Sequence, residues 1–320
     1  MATIIKVGAV QMNCYLGEID KNLSHAEIMI TNAVEEGSQV VLLPELMPCG
    51  YTLSEDIWNF AETIKGKSVG WLLEAAKRFG IYLGCTFLEA DGEDFFNTFV
   101  LAGPEGKLIG KVRKSPPSSV EAYFYTSGSD SHIIESEIGR IGVGVCYENT
   151  LIDHMSFLYS GNVDFVLSPA AAGRPIPFIP GDVNRFEKML INSRSVFANT
   201  LGVPVIVANR TGPLETDLPG WLPSLKSSFP GLSSIVDFDG TVKAELDDKE
   251  GIIVADVQIG HSSKQKSTPQ KYGKMWGIPV PWYAFIWPLT QKRGERSYEL
   301  NKKRKQRALS MSHCERDEKS

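Results

Sequence analysis

Three short apolar runs in this chain each stop at a reactive polar residue, and no other feature restricts the possible folds so sharply. Val41-Leu42-Leu43-Pro44-Glu45 ends in a carboxylate, Val112-Arg113-Lys114 in an ammonium and Gly144-Val145-Cys146 in a thiol. Such runs read as buried strands of an α/β protein, whose sites form just beyond the strand ends. If the three strands are neighbours, their terminal groups converge at one sheet edge. Cys146 then sits on a strand-to-helix turn with Asn149-Thr150 offering the helix cap, where the positive helix end favours a thiolate. Taken singly, Cys146 reads more simply as a small core hydrophobe. Glu45 alone reads as a surface carboxylate, and Lys114 as a solvated lysine beside Lys111 and Arg113.

The surrounding pattern agrees with an α/β chain. Ile4 to Met12 reads as a buried strand, and Asp20 caps a helix whose apolar stripe runs Leu23, Ala26, Ile30, Ala33 and Val34 and closes at Gly37. Strand patterns follow at 40–43, 81–88, 98–101, 107–112, 164–167, 203–208 and 252–257, with helices near 69–79, 151–159 and 184–201. Asp239-Gly240 turns a hairpin between 234–238 and 242–246. Strand-helix-strand units alternating with hairpins predict mixed sheets covered by helices. One domain over 1–260 is expected, with 261–320 as an extension holding an aromatic, proline-rich segment and a basic tail.

Composition narrows the function classes. With 42% hydrophobic and 22% charged residues, the chain has the make-up of a soluble globular protein. The net charge of −5 predicts no polyanion partner; residues 291–320 carry ten Lys/Arg against five Asp/Glu, so the tail is +5 and the remainder −10. The run Lys302-Lys303-Arg304-Lys305-Gln306-Arg307 reads as a solvated terminal segment rather than a nucleic-acid site. Five cysteines without a CxxC pair fit neither a disulfide framework nor a zinc ribbon and point to a reducing compartment. The N-terminus lacks a signal-peptide layout, and the patch 282–287 is too short to span a bilayer. A cytoplasmic protein without membrane attachment is expected.

The three strand-end groups form a coherent chemical set. A cysteine attacks an electrophilic carbon, a carboxylate removes and returns the proton, and an ammonium stabilises the charge that develops. Such chemistry requires no metal or organic cofactor.

Several stretches together resemble the nitrilase superfamily of carbon–nitrogen hydrolases over roughly residues 4–258. They are Val7-Gly8-Ala9-Val10-Gln11-Met12, Leu43-Pro44-Glu45 with Gly50-Tyr51, Lys111-Val112-Arg113-Lys114 and Val145-Cys146-Tyr147-Glu148. Ala208-Asn209-Arg210-Thr211-Gly212 and Ser234 to Gly240 continue the series. The resemblance implies a four-layer α-β-β-α sandwich of mixed sheets and a Glu45-Lys114-Cys146 triad. It implies a second glutamate, Glu121, hydrogen-bonding Lys114, with the Tyr147 backbone N–H as oxyanion donor. It further implies pairing of subunits into a homodimer or larger homo-oligomer. The substrate would be a small amide or carbamoyl compound cleaved through a thioester; a nitrile cleaved through a thioimidate is the alternative. Tyr51, Ala171 and Arg174 are the expected substrate-binding residues, Arg174 offering a planar fork for a carboxylate.

The chain departs from the family pattern at three places. Ser115-Pro116-Pro117 follows the lysine where histidine is common, no arginine occurs between Asn149 and Met155, and the loop 169–175 is built of small residues. Other readings find less support. His154 lies one or two turns past Cys146, which disfavours a Cys-His pair, and His25, His132, His261 and His313 show no metal-ligand spacing. No glycine-rich phosphate loop follows the first strand. A non-catalytic scaffold of the same fold is the reading of a different class, and the presence of all three reactive groups speaks against it.

Overall fold

The computed structural model describes residues 3–175, 179–220, 224–260, 274–276 and 280–317. In chain order the elements are β1 (Thr3–Gln11), α1 (Ile19–Glu35), β2 (Val40–Leu42), α2 (Lys67–Phe79), β3 (Tyr82–Asp91), β4 (Asp94–Ala102) and β5 (Leu108–Arg113). The second half continues with β6 (Ile133–Ser136), β7 (Gly139–Val143), α3 (Ile152–Gly161), β8 (Phe165–Pro169), α4 (Asp182–Leu201), β9 (Val205–Ala208), β10 (Thr211–Thr216) and β11 (Leu225–Pro230). It closes with β12 (Ser234–Val236), β13 (Val242–Glu245), β14 (Gly251–Ile259), α5 (Trp287–Leu300) and α6 (Lys302–Asp317).

Two six-stranded mixed sheets face each other, in the orders β14-β1-β2-β3-β4-β5 and β13-β12-β9-β8-β7-β6, and β10-β11 forms a separate hairpin. Alternation along the strands decides the layering. Ile5, Val7, Val40 and Leu42 from the first sheet join Ile141, Val143, Phe165 and Ile206 from the second in one buried core. The intervening Val10, Val41 and Leu43 point the other way, onto Leu23, Ala26 and Ile30 of α1 and Val69 and Leu72 of α2. On the far side, Met155 and Leu158 of α3 and Phe197 and Leu201 of α4 cover Val166 and Val205. The expected α-β-β-α sandwich is the observed one. Among the described residues, no helix is long and apolar enough to cross a membrane.

Helix ends show where local chemistry matches expectation. Gly80 closes α2 at φ 66°, the left-handed conformation glycine adopts without a Cβ penalty. Asp20 does not cap α1: it lies in the first turn beyond Glu18, and Asn22 ties the entry loop instead, its side chain bonding both the N–H and the carbonyl of Tyr15 at 2.8 and 2.7 Å. Asn149 and Thr150 do not cap α3 either. The Asn149 amide donates to Gly144 O and Ser168 Oγ, and the Thr150 hydroxyl to Tyr147 O.

The C-terminal segment differs from its sequence reading. Trp282–Ile286 form a 3-10 turn leading directly into α5, with Pro288 in the first helical turn, where a missing N–H costs nothing. The basic run is helical, and it docks. Arg304 is 2% exposed and donates to Glu93 O and the Asp94 carboxylate, while Lys305 pairs with Glu93. Tyr298 accepts the Phe95 N–H at 2.8 Å. These cations have carboxylates and carbonyls of the β3-β4 turn to face, so the run is not a free solvated tail.

Candidate active site

The three strand-end groups do meet, but not along one sheet edge. β2 and β5 belong to the first sheet, with β3 and β4 between them, whereas β7 belongs to the second. Glu45, Lys114 and Cys146 therefore approach one another across the mouth of the sandwich.

Glu45 sits on a pinned turn. The following Leu46 N–H donates to Thr86 Oγ1 at 2.6 Å, and Leu46 itself is left-handed at φ 49°. The Glu45 carboxylate is completely buried and saturated with donors: Asn97 Nδ2 and Lys114 Nζ reach Oε1 at 2.7 Å each, and the Ala171 N–H reaches Oε2 at 2.7 Å. Lys114, also 0% exposed, donates in addition to Glu121 Oε2 at 2.8 Å. Glu121 lies on a 3-10 turn, Ser119–Tyr123, reaches back to the Ser118 N–H at 2.7 Å and accepts the Tyr51 hydroxyl at 2.9 Å.

Protonation follows from this geometry. Burial acts to lower the Lys114 pKa, but Glu121 and Glu45 outweigh it and raise it, so the ammonium is fixed. Burial pushes the Glu45 carboxyl up against the pull of Lys114. For Glu121 burial is opposed and outweighed by Lys114, and its carboxyl stays ionised. Burial, followed by the Glu45 charge, also raises the Cys146 thiol well above its ordinary value, with Lys114 opposing. Burial and the Glu45 charge thus favour the thiol over the thiolate expected from a helix-end position. The cysteine opens only a short 3-10 turn, Cys146–Thr150, rather than a full helix.

Cys146 itself has φ 54°, a strained conformation for a residue with a side chain. The turn is over-determined by Glu148, fully buried, which accepts the Val145 N–H at 2.6 Å, the Ser115 N–H at 2.5 Å and His132 Nε2 at 2.8 Å. One carboxylate thereby ties the loop after Lys114 to the turn carrying Cys146. Gly144 is required beside it, because a Cβ there would lie 1.9 Å from Asn149 Oδ1.

Cys146 keeps partial exposure and opens into a cavity of about 430 Å³. Tyr51, Glu121, Tyr147, Ala171 and Arg174 all line it. Arg174 is not a free fork: its Nε donates to Glu187 at 2.6 Å and its Nη1 to Ser228 Oγ at 2.7 Å. Arg174 thereby braces the loop 169–175 between α4 and β11. The C-terminal extension completes the wall through Ile286, Trp287 and Thr290. Trp287 stacks edge-on against Tyr147 with centroids 5.1 Å apart, and Thr290 shares a 2.6 Å hydrogen bond with Ser119. Gly294 permits this closeness, since a Cβ would fall 2.9 Å from the Ala122 backbone.

Sequence reasoning missed Asn97, Glu148 and His132. Asn97 carried a signal, a polar residue in the middle of the apolar strand β4. The link from Glu148 to His132 had none, because sixteen residues and a strand pair separate them. His132 and His154 rings meet edge-on at 5.2 Å, against Glu148. His261 and the side chain of His313 lie outside the described residues. Among the described residues, no group of three or more His, Cys, Asp or Glu is arranged to hold a metal ion.

Comparison with known proteins agrees with this architecture. The family model for carbon-nitrogen hydrolases matches residues 6–266. A nitrilase of Pyrococcus abyssi is 32% identical over 171 residues, covering 52% of this chain and 65% of that enzyme; a nitrilase of Arabidopsis thaliana is 28% identical over 57% of its length. The chain thus spans under two thirds of these nitrilases. A citrullinase of Francisella tularensis is 25% identical over 76% of this chain and 85% of its own. Among solved structures, a carbon-nitrogen hydrolase of Helicobacter pylori superposes with a TM-score of 0.71 at 22% identity, over 80% of this chain and 89% of that one. With the model matching most of its length, the chain belongs to the carbon-nitrogen hydrolase family.

Proposed function

We propose that this protein hydrolyses a non-peptide C–N bond of a small amide or carbamoyl compound through a thioester on Cys146. The observation that supports this most is the buried Glu45–Lys114–Glu121 chain, closed by contacts of 2.7 and 2.8 Å, beside a thiol that opens into a cavity. In this reading Glu45 takes the Sγ proton as sulfur attacks the carbonyl carbon. Lys114 Nζ–H and the Tyr147 N–H receive the oxyanion. Collapse breaks the C–N bond, and Glu45 passes its proton to the departing nitrogen. Glu45 next deprotonates water, hydroxide displaces sulfur, and the recovered proton returns to the thiol as the acid leaves. Glu121 keeps Lys114 charged and in position. Tyr51 and Ala171 shape the pocket, the latter through the N–H that orients Glu45.

A nitrile attacked by the same sulfur, through a thioimidate, is the second reading, favoured by the Pyrococcus and Arabidopsis relatives. Exposed Phe157 on α3 and Ile191 and Val196 on α4 support pairing of subunits through the outer helices, for which light scattering would read a dimer or larger. The deciding experiment is ammonia release from a panel of ω-amides, carbamoyl-amines and nitriles. Amides or carbamoyl compounds turned over faster than nitriles support the proposal; no ammonia or amine from any of them contradicts it.

A further inference from the structure

The hydrogen bonds that Glu45 accepts are divided unequally between its two oxygens. Oε1 takes Lys114 Nζ and Asn97 Nδ2, at 2.7 Å each, whereas Oε2 takes the Ala171 N–H, also at 2.7 Å. A carboxylate oxygen offers two in-plane lone pairs. Among the described residues, Oε1 therefore has both engaged and Oε2 keeps one open. The Ala171 N–H also donates toward the Cys146 sulfur, where it works against the rise that burial imposes on the thiol. This shared donor places Oε2 on the thiol's side of the carboxylate.

Packing does not explain why Asn97 stands where it does. It lies inside β4, completely buried, and its neighbours on the same strand face, Phe95 and Phe99, are completely buried phenyl rings. Its Oδ1 has no hydrogen-bond partner among the described residues, a cost that an apolar side chain would not carry. What the amide gains is Nδ2 on Glu45. Turning the amide over would set Oδ1 against the charged Oε1, so the carboxylate fixes its orientation. The Asn97 carbonyl meanwhile accepts the Lys114 backbone N–H at 2.8 Å. One residue thus holds both Glu45 and Lys114, whose own ion pair closes at 2.7 Å. A donor on a carboxylate also favours its ionised form.

We propose that Asn97 is a positioning residue for the reaction: with Lys114 it fills Oε1 of Glu45, which leaves Oε2 to take the Cys146 proton and keeps the carboxylate ready to accept it. The inference rests on Glu45 acting as the base, so the test reads proton removal from the thiol without any turnover. Iodoacetamide alkylates Cys146 as Sγ displaces iodide from carbon and the Sγ proton passes to Glu45 Oε2. Peptide mass spectrometry follows that one cysteine from acid to alkaline pH. Asn97→Leu keeps the size of the side chain and removes the donor. The acid limb of its rate profile should move to higher pH by about 1–2 units, and Asn97→Ala should do the same if the leucine variant does not fold. A limb that stays in place in a folded variant, even with a lower rate at every pH, would overturn the inference, since packing damage alone scales the profile without moving it. Glu45→Gln separates the two claims. If it keeps the wild-type limb, the base reading itself fails and the inference falls with it. If it loses the limb while Asn97→Leu leaves the limb unmoved, only the role of Asn97 fails.

Discussion

The two regions that meet at Cys146 are built on opposite principles. On one side, Glu45, Lys114 and Glu121 form a chain in which the two glutamates take donors from side chains or backbone and the lysine bridges them, all at 2.7–2.9 Å. On the other, the cavity wall contributed by Phe186, Met189, Phe197, Val205 and Val207 is apolar. The first region is complete without substrate and therefore preorganised to stabilise charge. The second offers shape and apolar surface rather than fixed charge. The contrast teaches that fixed charge and cavity shape are separately encoded here, the first in strand ends and the turn carrying Glu121, the second largely in helix α4 and strand β9.

The hardest blow to the saturated side is removal of its cation. Lys114→Ala leaves two buried carboxylates facing each other; kcat should fall by about 10²–10³ at least and stability by about 3–5 kcal/mol. Steady-state rates and denaturant titration read both, and a rate near wild type would mean another group receives the oxyanion. Next comes the brace. Glu148→Gln keeps shape but weakens the tie between Ser115 and Val145, and the misplacement should lower kcat by about 10²-fold with KM little changed. A KM effect without a kcat effect would put Glu148 on the specificity side.

These two residues also show what the sequence made legible. Glu45, Lys114 and Cys146 stand out because a reactive group ends an apolar run, and Glu121 becomes visible only through the family pattern. Glu148 was in plain view two residues past Cys146, yet its work is tertiary: it accepts from Ser115, thirty-three residues away, and His132. Mixed sheets covered by helices were readable from strand-helix units alternating with hairpins. The four-layer sandwich was readable only through the family resemblance, because β1 and β2 are apolar on both faces and do not show in sequence that they face two cores. Helix α6 was not, because its charged surface hides a docking that depends on Arg304 and Ala308, at 2% and 0% exposure. The aromatic start of α5 hid its helix behind Pro288, which is a helix-start residue as well as a breaker. The burial and the neighbouring Glu45 charge that push the Cys146 thiol up are tertiary and left no mark in the sequence.

A smaller effect tests the pairing around Glu148 through pH. Burial, with His132 adding and Glu148 opposing, lowers the His154 pKa to about 4, against roughly 6.5 in the unfolded chain. Between those values the unfolded state binds more protons, so stability falls as pH drops through this window. The contribution is up to about 3 kcal/mol. Glu148, lowered chiefly by His132 once burial is overcome, loses its own stabilisation only as pH falls further, through its depressed pKa. His132, raised by Glu148 against burial, contributes below its ordinary pKa and loses that share as pH rises through its folded value. Chemical denaturation of His154→Leu from neutral to acid pH should show a flatter profile than wild type; parallel profiles would remove His154 from the account. The smallest effect is peripheral. Arg304→Ala frees α6 from the β3-β4 turn and should cost about 1–3 kcal/mol in thermal unfolding with ammonia release unchanged at room temperature.

The most direct measurement is steady-state ammonia release by Cys146→Ala alongside wild type, on whichever amide of the panel the wild type turns over. The expected result is no turnover above the uncatalysed rate from a folded variant, since the proposed path begins with a bond to sulfur. Measurable turnover by Cys146→Ala would show that water is activated directly and that no thioester lies on the path.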